Sequence, residues 1–112
     1  MATFNRCQII ACASTGFDYV DHTSAAKRGI WVTNCPGYCT DEVATHTIAL
    51  LLSQARRLPQ ADHPFLQDDR FFITPHSAWR SEESDAAVWE WAAGNVASAL
   101  RGEKPPHAVN QF

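Results

Sequence analysis

Three short runs that favour extended backbone, separated by helix-forming stretches, constrain this chain more than any other feature. Gln8-Ile9-Ile10-Ala11-Cys12-Ala13 is apolar and ends at Ser14-Thr15-Gly16, a strand and then a turn. Ile30-Trp31-Val32-Thr33 is β-branched and aromatic, and Asn34-Cys35-Pro36-Gly37 turns out of it. Phe71-Phe72-Ile73-Thr74 is the third run, stopped by Pro75. The stretches between them have helical character, so the order is β-α-β-α-β-α. That order predicts the α/β class, with a small, mostly parallel sheet and right-handed crossovers. Three strands leave two open edges, and dimerisation or exchange of elements between copies is the expected cover.

The helices carry their own boundary signals. Thr23 to Arg28 forms a short helix, with Thr23 as cap and Gly29 as its left-handed stop. The longest helix starts at Thr40, with Asp41 and Glu42 on the positive end of its dipole. Val43, Ala44, Thr47, Ile48, Leu51, Leu52 and Ala55 recur at three- and four-residue steps and give one wide apolar stripe, with Leu50 off it. Arg56 and Arg57 suit its C-terminal end, and Pro59 stops it. Leu58 to Arg70 is polar, with two prolines, and reads as a loop. The last helix starts near Ser81 and runs to Gly102, with Val88, Trp91, Ala92, Val96, Ala99 and Leu100 as its stripe. Trp89 points to a different face, which suggests a partner surface, and Gly94 costs this helix about 1 kcal/mol relative to Ala.

At 112 residues the chain holds at most one domain of ordinary size. Its 46% apolar and 19% charged residues exclude a disordered tail. No run approaches the roughly 18 apolar residues of a membrane span. A net charge of -3, with nine scattered Lys and Arg, argues against nucleic acid as a partner. Cys7, Cys12, Cys35 and Cys39, without a secretory signal, read as reduced, buried thiols of a cytoplasmic protein. The Cys35–Cys39 spacing and the absence of a His pair at ligand spacing predict no metal site. His22, His46, His63 and His107 share no ligand spacing and are expected to be solvated or capping residues.

Three stretches together carry a resemblance. The first runs from Ile9-Ile10-Ala11 through Gly16-Phe17-Asp18-Tyr19-Val20-Asp21 into Ala25-Ala26-Lys27-Arg28-Gly29-Ile30. The second runs from Val32-Thr33-Asn34-Cys35-Pro36-Gly37 through Asp41-Glu42-Val43-Ala44 and His46 to Leu50-Leu51-Leu52 and Ala55-Arg56-Arg57. The third is Ile73-Thr74-Pro75-His76-Ser77-Ala78-Trp79, with the tail from Arg101 to Asn110. In this order they resemble the D-isomer-specific 2-hydroxyacid dehydrogenases, in the branch that also holds the C-terminal-binding-protein corepressors. The resemblance covers nearly all of residues 8–110.

It implies a flavodoxin-like substrate domain beside a nicotinamide-binding Rossmann domain. In the family the loop matching Thr15 and Gly16 offers backbone N–H groups to a substrate carboxylate. His76 falls at the position of the general acid/base, and Trp79 at one that lines the substrate pocket. The family's Gly-x-Gly-x-x-Gly loop, its ribose-binding acid, and its catalytic Arg and Glu segments are absent here. A dinucleotide domain needs on the order of 100 residues or more. The chain therefore reads as a truncated relative. Residues 1–58 are a substrate-domain remnant with the long helix, 59–70 a junction at Leu58-Pro59, and 71–112 the histidine segment and last helix, all folding as a single unit. No cofactor is expected, although the intact family uses NAD, and the expected partners are a second copy and a small carboxylate. The expected function is that of a dehydrogenase relative without independent activity. The alternatives are a homo-oligomeric interaction module, or another small-molecule or hydrolytic activity using His76.

Overall fold

The computed structural model describes residues 6–55 and 74–112. Its elements are strand β1 (Ile9–Ala11), helix α1 (His22–Ala26), strand β2 (Trp31–Thr33), helix α2 (Thr40–Ala55) and helix α3 (Glu82–Leu100). The α/β class holds. Of the third strand expected over Phe71–Thr74, residues 71–73 lie outside the described residues, as does the expected junction loop, and Thr74 is irregular. The chain divides into two compact units, Met1–Tyr38 with Asp85–Phe112, and Cys39–Ser84.

In the first unit β1 and β2 pair in parallel, with Ile9 opposite Trp31 and Ala11 opposite Thr33. Ala25, Ile30 and Val32 form the core, with Cys7, Ile10, Val20 and Val109 packed around it. Helix α1 is capped by Asp21, whose Oδ1 accepts from the Ser24 N–H at 2.8 Å. The cap therefore lies two residues before the expected Thr23, because a carboxylate there reaches the free amide of the first turn. These bonds from Ser24 hold the Asp21 carboxyl below its ordinary value. Gly29 ends the turn as expected, with φ 66°. There the Gly29 N–H bonds Ala26 O, and the Ile30 N–H bonds Ala25 O, both at 3.0 Å, which is the paired closure that a left-handed residue allows. Gly102, with φ 76°, closes α3 in the same way through Gly102 N–H to Ala99 O and Glu103 N–H to Ser98 O.

The chain's own tail occupies the outer edge of β2. The buried Asn110 side chain imitates a strand residue. Its Oδ1 accepts from the Val32 N–H at 2.8 Å, and its Nδ2 donates to Ile30 O at 2.9 Å and to His22 O at 3.4 Å. The Val109 N–H then bonds Val32 O at 2.9 Å, and Thr33 bridges Ala108. A carboxamide carries both a donor and an acceptor, so it can stand in for a peptide group at a sheet edge.

The inward face of α3 is more polar than its stripe suggests. Val88 and Ala99 are buried, but so are Asn95 and Ser98, whereas Leu100, expected inside, is 68% exposed. Asn95 explains the difference. Its Nδ2 donates to Asn34 O at 3.3 Å and its Oδ1 accepts from the His107 N–H at 3.2 Å, tying helix, strand end and tail together. The His107 ring stacks on Trp91 with centroids 4.9 Å apart, so it is a packed residue and not the expected solvated one. Trp89 is exposed, as its position predicts. Cys12, Cys35 and Cys39 are buried, Cys7 is half-buried, and all four are free thiols. Burial pushes the Cys35 thiol up, with Cys12 adding to the effect.

In the second unit Thr40 is the first helical residue of α2 and not its cap, since the Val43 N–H already bonds Cys39 O at 3.0 Å. No residue of α2 is buried. The stripe runs along the helix as expected but is open to solvent: Ile48 is 55% exposed, Leu51 64% and Leu52 58%. The half-buried positions are Glu42, His46, Leu50 and Ser53, so Leu50, off the stripe, is more covered than the stripe itself, as cover on a second side of the helix would give. Arg56, Arg57 and Pro59 lie outside the described residues.

Candidate functional site

The expected site residues fall into both units. Thr15 and Gly16 belong to the first, and His76 and Trp79 to the second.

The Thr15–Gly16 loop follows β1 and is held by its neighbour turn. The Thr15 Oγ1 donates to Cys35 O at 3.2 Å, Asn34 Nδ2 donates to Thr15 O at 2.8 Å, and the Cys35 N–H bonds Ser14 O at 2.9 Å. Ser14 Oγ spends its single proton on Gly16 O at 2.7 Å and therefore accepts from the Tyr19 hydroxyl at 3.1 Å. A hydrogen bond with Cys12 raises the Tyr19 phenol above its ordinary value, partly offset by the one with Ser14. Among the described residues the N–H groups of Thr15 and Gly16 donate to nothing. Gly16 is not in the left-handed region, and an added Cβ would meet its nearest atom, Asp18 Oδ2, at an ordinary 3.8 Å. Backbone freedom is therefore not what this position needs. The result is a braced, exposed loop with two adjacent amide donors left without a partner among the described residues.

His76 sits exposed at φ 58°, the one non-glycine residue in the left-handed region among those described. Histidine is enriched there relative to bulkier side chains, yet the conformation still stores strain. No carboxylate pairs with its ring among the described residues. Trp79 is half-buried, and its carbonyl accepts from the Ser84 hydroxyl at 2.6 Å.

Beside this segment the second unit has a cleft of about 450 Å³, lined by Asp41, Glu42, Thr45, His46 and Ala49 of α2 and by Ser77, Ala78 and Arg80. Two hydroxyls brace the segment that follows its lining residues. Ser81 caps α3: its Oγ accepts from the Ser84 N–H at 2.9 Å, while Ser84 Oγ accepts from the Ser81 N–H at 2.8 Å. This is a capping box with serine in place of the usual glutamate. Ser81 Oγ then donates to Glu42 Oε1 at 2.7 Å, which holds the Glu42 carboxyl below its ordinary value. His46 lines the same cleft, but its Nε2 is shielded from water and has no hydrogen-bond partner. An unmatched buried polar atom costs about 1–3 kcal/mol. His46, expected to be solvated or capping, is half-buried, with its Nε2 shielded.

Sequence reasoning read Glu42 as a dipole residue and passed over Arg80. The i, i+4 spacing of Glu42 with His46, of Asp41 with Thr45 and of Thr45 with Ala49 is the signal that would have grouped those of α2.

A dinucleotide places its pyrophosphate on a helix N-terminus after a strand. Each helix N-terminus described here carries carboxylates instead: Asp21 on α1, Asp41 and Glu42 on α2, Glu82 and Glu83 on α3. These residues do not fit such a cofactor. Among the described residues no cluster of three His, Cys, Asp or Glu is placed to hold a metal, and no helix is long and apolar enough to cross a membrane.

The described strands and helices define a small α/β fold. The crystal structure of a dehydrogenase from Rhizobium meliloti shares that fold, with a TM-score of 0.69 and 18% identity, over 90% of this chain and 77% of that one. The chain belongs to the D-isomer specific 2-hydroxyacid dehydrogenases: the model of that family's catalytic domain matches residues 1–110. Among curated relatives, glyoxylate reductase of Thermofilum pendens is 47% identical over 55 residues, 49% of this chain and 16% of that enzyme. Glyoxylate reductase of Thermococcus litoralis is 51% identical over 55 residues, 17% of its length. D-3-phosphoglycerate dehydrogenase of Archaeoglobus fulgidus is 49% identical over 55 residues, 10% of its length. The matched stretches thus span well under a quarter of these relatives.

Proposed function

We propose that this chain is a carboxylate-binding remnant of a 2-hydroxyacid dehydrogenase catalytic domain, without hydride transfer of its own. The observation that carries the reading is the Thr15–Gly16 loop, braced by three hydrogen bonds to Asn34 and Cys35, with two adjacent amides that donate to nothing among the described residues. A carboxylate there replaces water on both donors, and the bracing removes most of the ordering cost. Acidic helix N-termini and the missing glycine loop support the absence of a bound nicotinamide, and without one no hydride donor is positioned. His76 keeps the family's sequence position but has no carboxylate to orient its ring among the described residues, which supports a lost acid/base role. The free thiols support a cytoplasmic setting. Placement in the corepressor-containing branch rests on the sequence stretches alone.

The test is titration of the chain with glyoxylate, NADH and NADPH, followed by amide chemical shifts. Glyoxylate should shift residues 13–18 saturably in the millimolar range, while neither nucleotide binds at micromolar concentration. NADH oxidation by the purified chain with glyoxylate would overturn the reading.

The exposed stripe of α2 favours a second reading, a homodimer through that helix. Val43, Ile48, Leu51 and Leu52 are all at least 41% exposed, and helices with such a face ordinarily bury it. Sedimentation showing only monomer at high micromolar concentration would remove it.

A further inference from the structure

We propose that the cleft of the Cys39–Ser84 unit is a binding site for a small zwitterion, with an α-amino acid as the ligand class. The proposal does not depend on the Thr15–Gly16 reading, since the two sites share no residue. The cleft's volume of about 450 Å³ lies within the ~300–1,000 Å³ range of small-molecule sites, and its lining carries both signs of charge. Asp41 and Glu42 supply carboxylates from consecutive positions of α2, and Arg80 supplies a guanidinium from the facing segment. A purely anionic ligand would meet both carboxylates, and a purely cationic one would meet Arg80. A molecule with an ammonium and a carboxylate a few ångströms apart satisfies both.

Three further features fit that ligand. The Ser81 hydroxyl engages Glu42 through Oε1 and keeps the carboxylate ionised, leaving Oε2 for an ammonium group. Arg80 keeps interactions of its own, but a guanidinium with five donors can hold a protein partner and a ligand carboxylate together. Ala49 and Ala78 provide small apolar wall where an amino-acid side chain would lie. His46 also lines the cleft. Its Nε2 is buried without a hydrogen-bond partner, and a turn of the ring toward the cleft would let a ligand polar group engage it.

The experiment is a titration of the intact chain with glycine and with both enantiomers of alanine, against acetate and methylammonium as single-charge controls. Amide shifts of Ala49 and Ala78 and the His46 ring signals are the readout. The zwitterions should bind saturably and at least tenfold more tightly than either control. Glu42→Gln retains an acceptor for Ser81, so the helix cap should survive, as circular dichroism would show. It should weaken binding by tenfold or more, as should Arg80→Gln. Asp41→Asn, which touches no cap, is the second variant if Glu42→Gln unfolds, and the same loss is expected. Equal binding of acetate and glycine would overturn the proposal, as would unchanged affinity in these variants. Shifts confined to residues 13–18 would also overturn it. Failure of glyoxylate to bind at Thr15–Gly16 would leave it standing.

Discussion

The two units differ in how much apolar surface they cover. In the first, buried carboxamides close the structure on itself: Asn110 completes the edge of β2, and Asn95 joins α3 to the strand end and the tail. In the second, α2 buries none of its residues and its apolar stripe faces solvent. Shielded polar atoms without a partner occur in both, Thr33 Oγ1 and His107 Nδ1 in the first and His46 Nε2 in the second, so they do not distinguish the units. A region that leaves an apolar helix face open has interactions still to make. The contrast assigns the scaffold to the first unit and points to the second for association.

The largest expected effect tests the scaffold. Asn110→Ala strands the Val32 N–H and the Ile30 carbonyl at once, and should cost about 2–4 kcal/mol in urea unfolding. Loss under 1 kcal/mol would show that the tail is held by something other than its carboxamide. Next, Leu51→Glu should barely change the stability of a monomer, because Leu51 is 64% exposed. If α2 is a dimer seam, the same change should weaken self-association at least tenfold by sedimentation. Equal association in both forms moves the seam elsewhere.

Gly94→Ala tests the opposite expectation, a gain. A Cβ at Gly94 would meet nothing within 4 Å, so the full helix preference of about 1 kcal/mol should appear as added stability. The pH response divides along the same line. Asp21 in the first unit and Glu42 in the second both have carboxyls held below their ordinary values. Each contribution is therefore present above the unfolded carboxylate pKa and is lost as pH falls through the lower folded value. Asp21→Asn should flatten the acid limb of stability without touching the cleft. Glu42→Gln should flatten it and also alter the Trp79 environment, read by fluorescence. Smallest of all is Gly16→Ala, expected to change stability by no more than about 0.5 kcal/mol, since neither φ nor space demands glycine there.

Much of the first unit was legible from residue order. The runs Gln8–Ala13 and Ile30–Thr33 became paired strands, and Gly29 and Gly102 ended helices, because strand propensity and left-handed glycine are local properties. The cap moved from Thr23 to Asp21 because either side chain can serve, and which one reaches the free amide depends on how the chain enters the helix. The stripe of α2 gave the helix correctly and its covered face wrongly. Periodicity says which side chains share a face, and only the neighbours decide whether that face is buried. The cleft was the least visible, since Glu42 and Ser81 lie 39 residues apart.

By itself, the order of residues determined the class, the family and the position of the loop at Thr15 and Gly16. These follow from short-range preferences and from motifs contiguous in the chain. Tertiary structure alone decided that a carboxamide from position 110 would finish the sheet edge, and that Glu42, His46 and Arg80 would line one cleft. Hydrogen bonds and cavities form between groups that meet in space, and spacing along a chain does not encode such meetings directly.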